Sequence, residues 1–151
     1  MKDDIRIKTA IKLLYDGALT FCALNENGGE ILKSRDRGVK PLVSLIDSGV
    51  KLRGFCAADK VIGKAAAFLY VILEPDFVYA DVISEKAYDV FKVSGIEVSF
   101  GKKVEAIRNR TNTGFCPMET AVEDISDPYE ALSAIRKKID DLSGGKKQIN
   151  K

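Results

Sequence analysis

Residues 50–100 read VKLRGFCAADKVIGKAAAFLYVILEPDFVYADVISEKAYDVFKVSGIEVSF. Short apolar runs alternate here with longer segments in which apolar residues recur at spacings of three and four, a pattern that predicts strands alternating with helices. The predicted elements are a strand at Val50–Cys56, a helix from Lys60 to about Leu73, a strand at Asp76–Asp81, a helix from Ser84 to about Val93 and a strand at Ile96–Phe100. Strands joined by helices of about 10–14 residues favour βαβ crossovers, so this stretch predicts an α/β sheet between helices.

The flanking sequence adds a helix and a hairpin on the N-terminal side and two further helices. The predicted elements are a helix from Ile5 to Tyr15 ended by Gly17, strands at Leu19–Leu24 and Glu30–Ser34, a helix starting at Pro41, and a last helix from Tyr129 to about Leu142 capped by Asp127. Together these elements predict a three-layer α-β-α fold with a mixed sheet of about five strands. We expect one domain over residues 1–143 and a flexible C-terminal tail over residues 144–151.

Composition excludes several classes of function. The 151 residues carry 24 Lys and Arg against 22 Asp and Glu, a formal net charge of +2, so a dominant role in binding nucleic-acid phosphates is disfavoured. The chain has no histidine, which excludes His-dependent catalytic triads and zinc sites that need imidazole. The three cysteines are dispersed, which is typical of a reducing compartment. We find no secretory or membrane-spanning pattern and expect a cytoplasmic protein without a membrane partner.

The first candidate site is the predicted strand-to-helix junction at residues 55–64, FCAADKVIGK. Cys56, Asp59, Lys60 and Lys64 bring a thiol, a carboxylate and two amines together, with the two lysines four apart on one helix face. A helix N-terminus favours anions and lowers the pKa of a nearby thiol. In the alternative interpretation Asp59 only caps the helix, the lysines are solvated and Cys56 fills the core, and the sequence leaves both open. Gly63 inside the predicted helix indicates close approach by backbone or ligand.

Two more segments combine polar side chains with helix starts. Ser84 is predicted to cap a helix after the strand that ends near Asp81, with Glu85 next to it; capping alone is the simpler alternative. Residues 108–119, RNRTNTGFCPME, hold Arg110, Thr111, Thr113 and Cys116 before a helix start at Pro117. Such a dense polar loop is typical of ligand contacts, and the alternative is a solvated loop tied by its own turns. Thiol–carboxylate chemistry by Cys116 and Glu119 would need a base other than His.

No Walker loop, no GxGxxG and no GxSxG motif is present.

The order of elements resembles the cytidine-deaminase-like fold. The segments GVKPLVSLIDSG (38–49), CAADKVIGKAAAFLY (56–70), YADVISEKA (79–87) and NRTNTGFCPME (109–119) resemble a small family of uncharacterised prokaryotic proteins assigned to that fold. The resemblance covers about residues 5–140.

The zinc ligands of deaminases are absent from the two places where the resemblance puts them. Zinc deaminases carry H/C-x-E at the first core helix and P-C-x-x-C at the next. Here the first place reads AADK (57–60) and the second ISEK (83–86), so we expect neither zinc nor hydrolytic deamination. The resemblance implies that Asp59, Lys60, Ser84 and Glu85 surround the former deaminase cleft and that Cys116 and the loop from Arg110 to Thr113 close over it.

Three functions compete at this point. The first is binding of a nucleotide-type ligand, a nucleoside diphosphate or an ADP-ribose-like molecule, with Arg110, Lys60 and Lys64 on phosphate and Asp59 on ribose hydroxyls. In an enzyme of this kind Asp59, Lys60, Cys56 and Cys116 are the candidate catalytic residues. Lys64, Ser84, Glu85, Arg110, Thr111 and Thr113 are the candidate binding residues. The second function is a non-catalytic regulatory or interaction module, with homo-oligomer assembly left open. The third, an RNA-associated role, is disfavoured by the near-neutral charge.

Overall fold

The computed structural model describes residues 5–25, 30–36, 38–107 and 116–149. In chain order the elements are α1 (Ile5–Asp16), β1 (Phe21–Leu24), β2 (Ile31–Ser34), α2 (Lys40–Asp47), β3 (Cys56–Ile62), α3 (Lys64–Leu73), β4 (Phe77–Ser84), α4 (Glu85–Ser94), β5 (Val98–Val104), α5 (Pro117–Ala121) and α6 (Pro128–Ile149). The order of elements is therefore the predicted one, and the last helix extends beyond its predicted end near Leu142. Flexibility of the tail stays a prediction.

The strands form one mixed sheet with the spatial order β2-β1-β3-β4-β5. The hairpin strand β1 runs antiparallel to both β2 and β3, whereas β3, β4 and β5 are mutually parallel. Parallel neighbours need crossover connections, and α3 and α4 supply them. The mixed five-stranded sheet and the α/β class are thus confirmed.

Helices cover both faces of the sheet. Helix α1 places Ala10 and Leu14 on one face, where they pack with Cys22 of β1 and Ala58 of β3. The other face carries the main core, in which α3 is buried nearly all round, from Ala65 to Tyr70 and again at its end. A helix that is apolar on every side must be enclosed by other elements. Helices α2, α4 and α6 all pack against α3, which fixes the position of its N-terminus.

The junction between β3 and α3 differs from the prediction. The sequence predicts that the strand ends at Cys56 and the helix starts at Lys60, but β3 begins at Cys56 and continues to Ile62. The reason is pairing on both sides, because Asp59 lies opposite Phe21 of β1 and opposite Ala80 of β4. Tertiary pairing therefore overrides the local helix pattern.

Candidate functional site

Asp59 is a buried acid inside the sheet, and the prediction that it caps a helix is wrong. Its residue surface is 6% exposed, and its side chain points toward α3. The Tyr70 hydroxyl donates a hydrogen bond to Oδ2 of Asp59 at 2.7 Å, and the backbone N–H of Val61 donates to Oδ1 at 3.4 Å. Each oxygen of this carboxylate thus accepts a hydrogen bond from a neutral donor, and no ion pair of Asp59 occurs among the described residues.

Burial changes the acid–base behaviour of both members of this pair. Loss of solvation raises the pKa of Asp59 from 3.8 to about 7, and the hydrogen bonds from Tyr70 and from the backbone of Val61 and Lys60 offset only part of that rise. The pKa of Tyr70 is raised well above 10 by burial and by the nearby carboxylate. A carboxyl group with a pKa near 7 can donate or accept a proton at neutral pH, as general acid–base chemistry requires.

The N-terminus of α3 is held by a carboxylate from a distant part of the chain. Helix α3 begins at Lys64, and Gly63 is its cap residue without a side-chain cap. The backbone N–H of Lys64 donates to Oε1 of Glu119 at 2.7 Å, and the N–H of Ala65 donates to Oε2 at 3.0 Å. A Cβ on Gly63 would lie 2.5 Å from that carboxylate, so the close approach predicted at Gly63 is made by a side chain.

A cavity of about 420 Å³ lies between the start of the hairpin, the end of β3, the start of α3 and α5. Its polar residues include Asp59, Lys60, Cys116 and Glu119. The remaining lining is largely apolar and includes Leu19, Phe21, Val39, Pro41, Val61, Ala65, Ala66, Ile107 and Met118. We call this the first cavity. Its volume falls within the range of about 300–1,000 Å³ that small-molecule sites occupy.

A second cavity of about 280 Å³ adjoins the first and is more polar. Lys64, Ser84, Lys86, Glu105 and Glu123 line it. Ile107 and Glu119 line both cavities, so Glu119 stands at their boundary. The second cavity thus lies where the starts of α3 and α4 come together.

The lysines predicted to share a helix face do not do so. Lys60 belongs to β3 and lines the first cavity. Lys64 starts α3, and its Nζ donates to the backbone oxygen of Glu123 at 2.9 Å and lies 5.7 Å from the centre of the Phe68 ring. The prediction fails because only one of the two residues is helical.

Cys56 lies on the opposite face of the sheet from Asp59. It packs with Ile7 of α1 and Phe77 in a buried cluster. Residues three apart in a strand point to opposite faces, so the sheet separates the thiol from the carboxylate. The structure therefore does not bring Cys56 to the first cavity, and the alternative interpretation as a core residue fits its position.

Ser84 has the predicted capping role. Its Oγ accepts a hydrogen bond from the backbone N–H of Ala87 at 3.1 Å, and the residue is 2% exposed. It also lines the second cavity. Glu85 is exposed in the first turn of α4, and the described lining of the two cavities does not include it.

Cys116 lines the first cavity, and its role in a functional site stays a prediction. It is the cap residue of α5, and its backbone oxygen accepts hydrogen bonds from the N–H groups of Glu119 at 3.0 Å and Thr120 at 3.1 Å. Arg110, Thr111 and Thr113 lie outside the described residues. Their assignment to the site stays a prediction.

Sequence reasoning considers Glu119 only as the carboxylate of a thiol–carboxylate pair with Cys116 and does not predict its contact with the start of α3. Nothing local connects Glu119 with a helix start 55 residues earlier. Within residues 5–25, 30–36, 38–107 and 116–149, no group of three or more His, Cys, Asp or Glu side chains could hold a metal ion. None of the described helices is both long enough and apolar enough to cross a bilayer.

Fold and site together define an α/β protein with a mixed five-stranded sheet and a buried acid at the wall of a largely apolar cavity. The sequence model of the TM1506 family, described as a domain of unknown function (DUF1893), matches residues 9–139. The chain belongs to this family.

A solved structure resembles this chain over most of its length. The crystal structure of a DUF1893 family protein (TM1506) from Thermotoga maritima is similar with a TM-score of 0.83 and 28% sequence identity. The similarity covers 90% of this chain and 91% of that one. No curated protein matches the chain.

Proposed function

We propose that this chain binds a nucleotide-type ligand, a nucleoside diphosphate or an ADP-ribose-like molecule, in the first cavity of a cytidine-deaminase-like fold that holds no zinc. The observation that carries the proposal is the buried carboxylate of Asp59 at the wall of a largely apolar cavity. Apolar walls with a few placed polar groups are typical of small-molecule sites. The order of elements, with a hairpin before two βα units, supports the proposed fold relationship.

The residues at the two helix starts do not fit the zinc site of a deaminase. The start of α3 offers Gly63, Lys64 and Ala65, and the start of α4 offers Ser84 and Glu85. Zinc in a catalytic site needs three protein ligands, drawn from Cys, His, Asp and Glu. One exposed glutamate does not supply them, so the proposal includes no metal step.

The two cavities suggest where the parts of such a ligand lie. The apolar walls of the first cavity suit a base or a sugar, with the Asp59 carboxylate accepting hydrogen bonds from ribose hydroxyls. Lys60 at the first cavity and Lys64 and Lys86 at the second provide positive charge for phosphates. Arg110 joins them in the proposal from the sequence.

Chemistry at the site, if the ligand is a substrate, would depend on two groups. Asp59 has a pKa near 7 and so is suited to act as a base, and Cys116 is the thiol at the same cavity. The position of Cys56 across the sheet removes it from this proposal.

Isothermal titration with ADP, ADP-ribose, CDP and adenosine tests the proposal. We expect the wild type to bind at least one nucleotide, and Asp59→Asn and Lys60→Ala to bind it about tenfold more weakly or worse, the effect of losing one hydrogen bond to a charged group. The matched control is Lys12→Ala, an exposed lysine of α1 on the other face of the sheet, which should bind as the wild type does. Absence of binding at millimolar concentration, or equal binding by all four proteins, contradicts the proposal.

A further inference from the structure

Helix α5 has no buried side chain of its own, and its nearest anchor in the main core is Val122, the residue that follows it. All five of its residues, Pro117–Ala121, are described, and none of them is buried. Met118 is only partly buried against the main core. A helix of about one turn is not stable by itself, so α5 must be fixed by contacts with the rest of the chain. The paired hydrogen bonds between Glu119 and the start of α3 are such a contact.

We propose that Glu119 is a positioning residue that acts as a latch: its carboxylate fastens α5, and with it Cys116, against the first cavity. Both carboxylate oxygens accept backbone N–H groups, at 2.7 and 3.0 Å, and a charged acceptor strengthens such bonds. When the latch is broken, α5 can separate from α3, and Cys116, which is already partly exposed, becomes more accessible to reagents. The cavity then loses the wall that Met118 and Cys116 form.

Gly63 is the receiving half of the latch. Its φ of −98° and ψ of −177° are extended values that any residue adopts, so the backbone does not require glycine here. Glycine is needed only while Glu119 keeps its position, because a Cβ would have the three atoms of the Glu119 carboxylate as its nearest neighbours, at 2.5, 2.5 and 2.6 Å, and would displace this end of a flexible side chain. The start of α3 and the side chain of Glu119 are thus shaped for each other, and Gly63→Ala should open the latch from the other side.

The consequence for a ligand rests on the proposed function. A ligand in the first cavity contacts the wall that the latch holds, so breaking the latch should weaken its binding. The position of α5 can be measured without any ligand, however. A failure of the latch and a failure of nucleotide binding can therefore be told apart.

The test is the rate at which iodoacetamide alkylates each cysteine, followed by peptide mass spectrometry. Cys22 and Cys56 are both 0% exposed and report any global unfolding, whereas Cys116 is partly exposed at the cavity. We expect alkylation of Cys116 to rise at least tenfold in Glu119→Ala, because the substitution removes both hydrogen bonds to the carboxylate and the loss of even one hydrogen bond to a charged group would shift an opening equilibrium by about that factor. Glu119→Gln, which can still accept a hydrogen bond, should give a smaller rise.

The matched control is Glu123→Ala, which removes a nearby exposed carboxylate but keeps the backbone oxygen that Lys64 contacts. It should leave the alkylation of Cys116 unchanged. An unchanged rate at Cys116 in Glu119→Ala overturns the proposal. So does parallel exposure of Cys22, Cys56 and Cys116 in both Glu119 variants, because Glu119 would then stabilise the whole fold and not the position of α5.

Discussion

Asp59→Asn replaces a buried acid by a neutral side chain of nearly the same shape, and it should remove a specific pH dependence of stability. The pKa of Asp59 is 3.8 in an exposed chain and about 7 in the fold. Between these values the folded protein keeps a proton that the unfolded chain has lost. The contribution of Asp59 to the free energy of unfolding therefore falls as the pH rises from about 4 to about 7. Above pH 7 both states are ionised at this residue and the loss is complete.

The size of the effect follows from the two pKa values. The interval from 3.8 to about 7, at about 1.4 kcal/mol per pH unit, corresponds to about 4 kcal/mol. Asp59 is 6% exposed, so solvent screening reduces this value little. The Asn variant carries no titratable group at position 59, so its free energy of unfolding contains no contribution from titration of this residue at any pH. We therefore expect the free energy of unfolding of the wild type minus that of Asp59→Asn to fall by about 4 kcal/mol between pH 4 and pH 8.

Urea denaturation followed by circular dichroism at pH 4, 5, 6, 7 and 8 measures this difference. All other carboxyl groups are common to the two proteins, so their titration cancels to first order. A difference that stays constant within about 1 kcal/mol, or that rises with pH, would show that Asp59 is solvated or paired with a cation, and the reasoning from burial would be refuted.

Three further substitutions test other contacts of the site. Tyr70→Phe removes the hydroxyl that donates to Asp59, so the pKa of Asp59 should rise above 7 and the pH-dependent loss of stability should extend to higher pH; an unchanged profile in urea denaturation contradicts this. Gly63→Ala should lower the melting temperature in the wild type but have little further effect in Glu119→Ala, because the group it collides with is gone; equal effects in both backgrounds would exclude the collision. Ser84→Ala should cost about 1 kcal/mol through loss of the helix cap, visible as a melting temperature about 2–4 °C lower, and a change below 1 °C would argue against the cap.

Features with a local cause could be predicted from the sequence. The hairpin, the first helix and the cap at Ser84 were found because turn residues, apolar spacing and a capping serine lie next to the elements they define. The same holds for Asp127, whose Oδ2 accepts two N–H groups at the start of α6. Each of these signals acts within about one helical turn.

The junction between β3 and α3 could not be predicted because its causes are distant in sequence. An aspartate before a run rich in alanine is typical of a helix cap, and Asp59 matches that pattern. Two neighbouring strands instead extend β3 through Asp59, and the cap of α3 comes from Glu119. No local sequence pattern predicts the extension of β3 or the cap that Glu119 supplies.

This four-residue difference in the start of α3 changes where chemistry can take place. If Asp59 had capped the helix, it would have been a solvated acid next to two lysines, with its charge balanced. Inside β3 it is instead a desolvated acid bonded to Tyr70, and its burial brings its pKa to about 7. The start of α3 carries Gly63 and backbone N–H groups already bonded to Glu119. The buried acid therefore belongs to the sheet, while the start of α3 is bonded to Glu119 of α5, and both border the first cavity, where the proposed ligand would contact them.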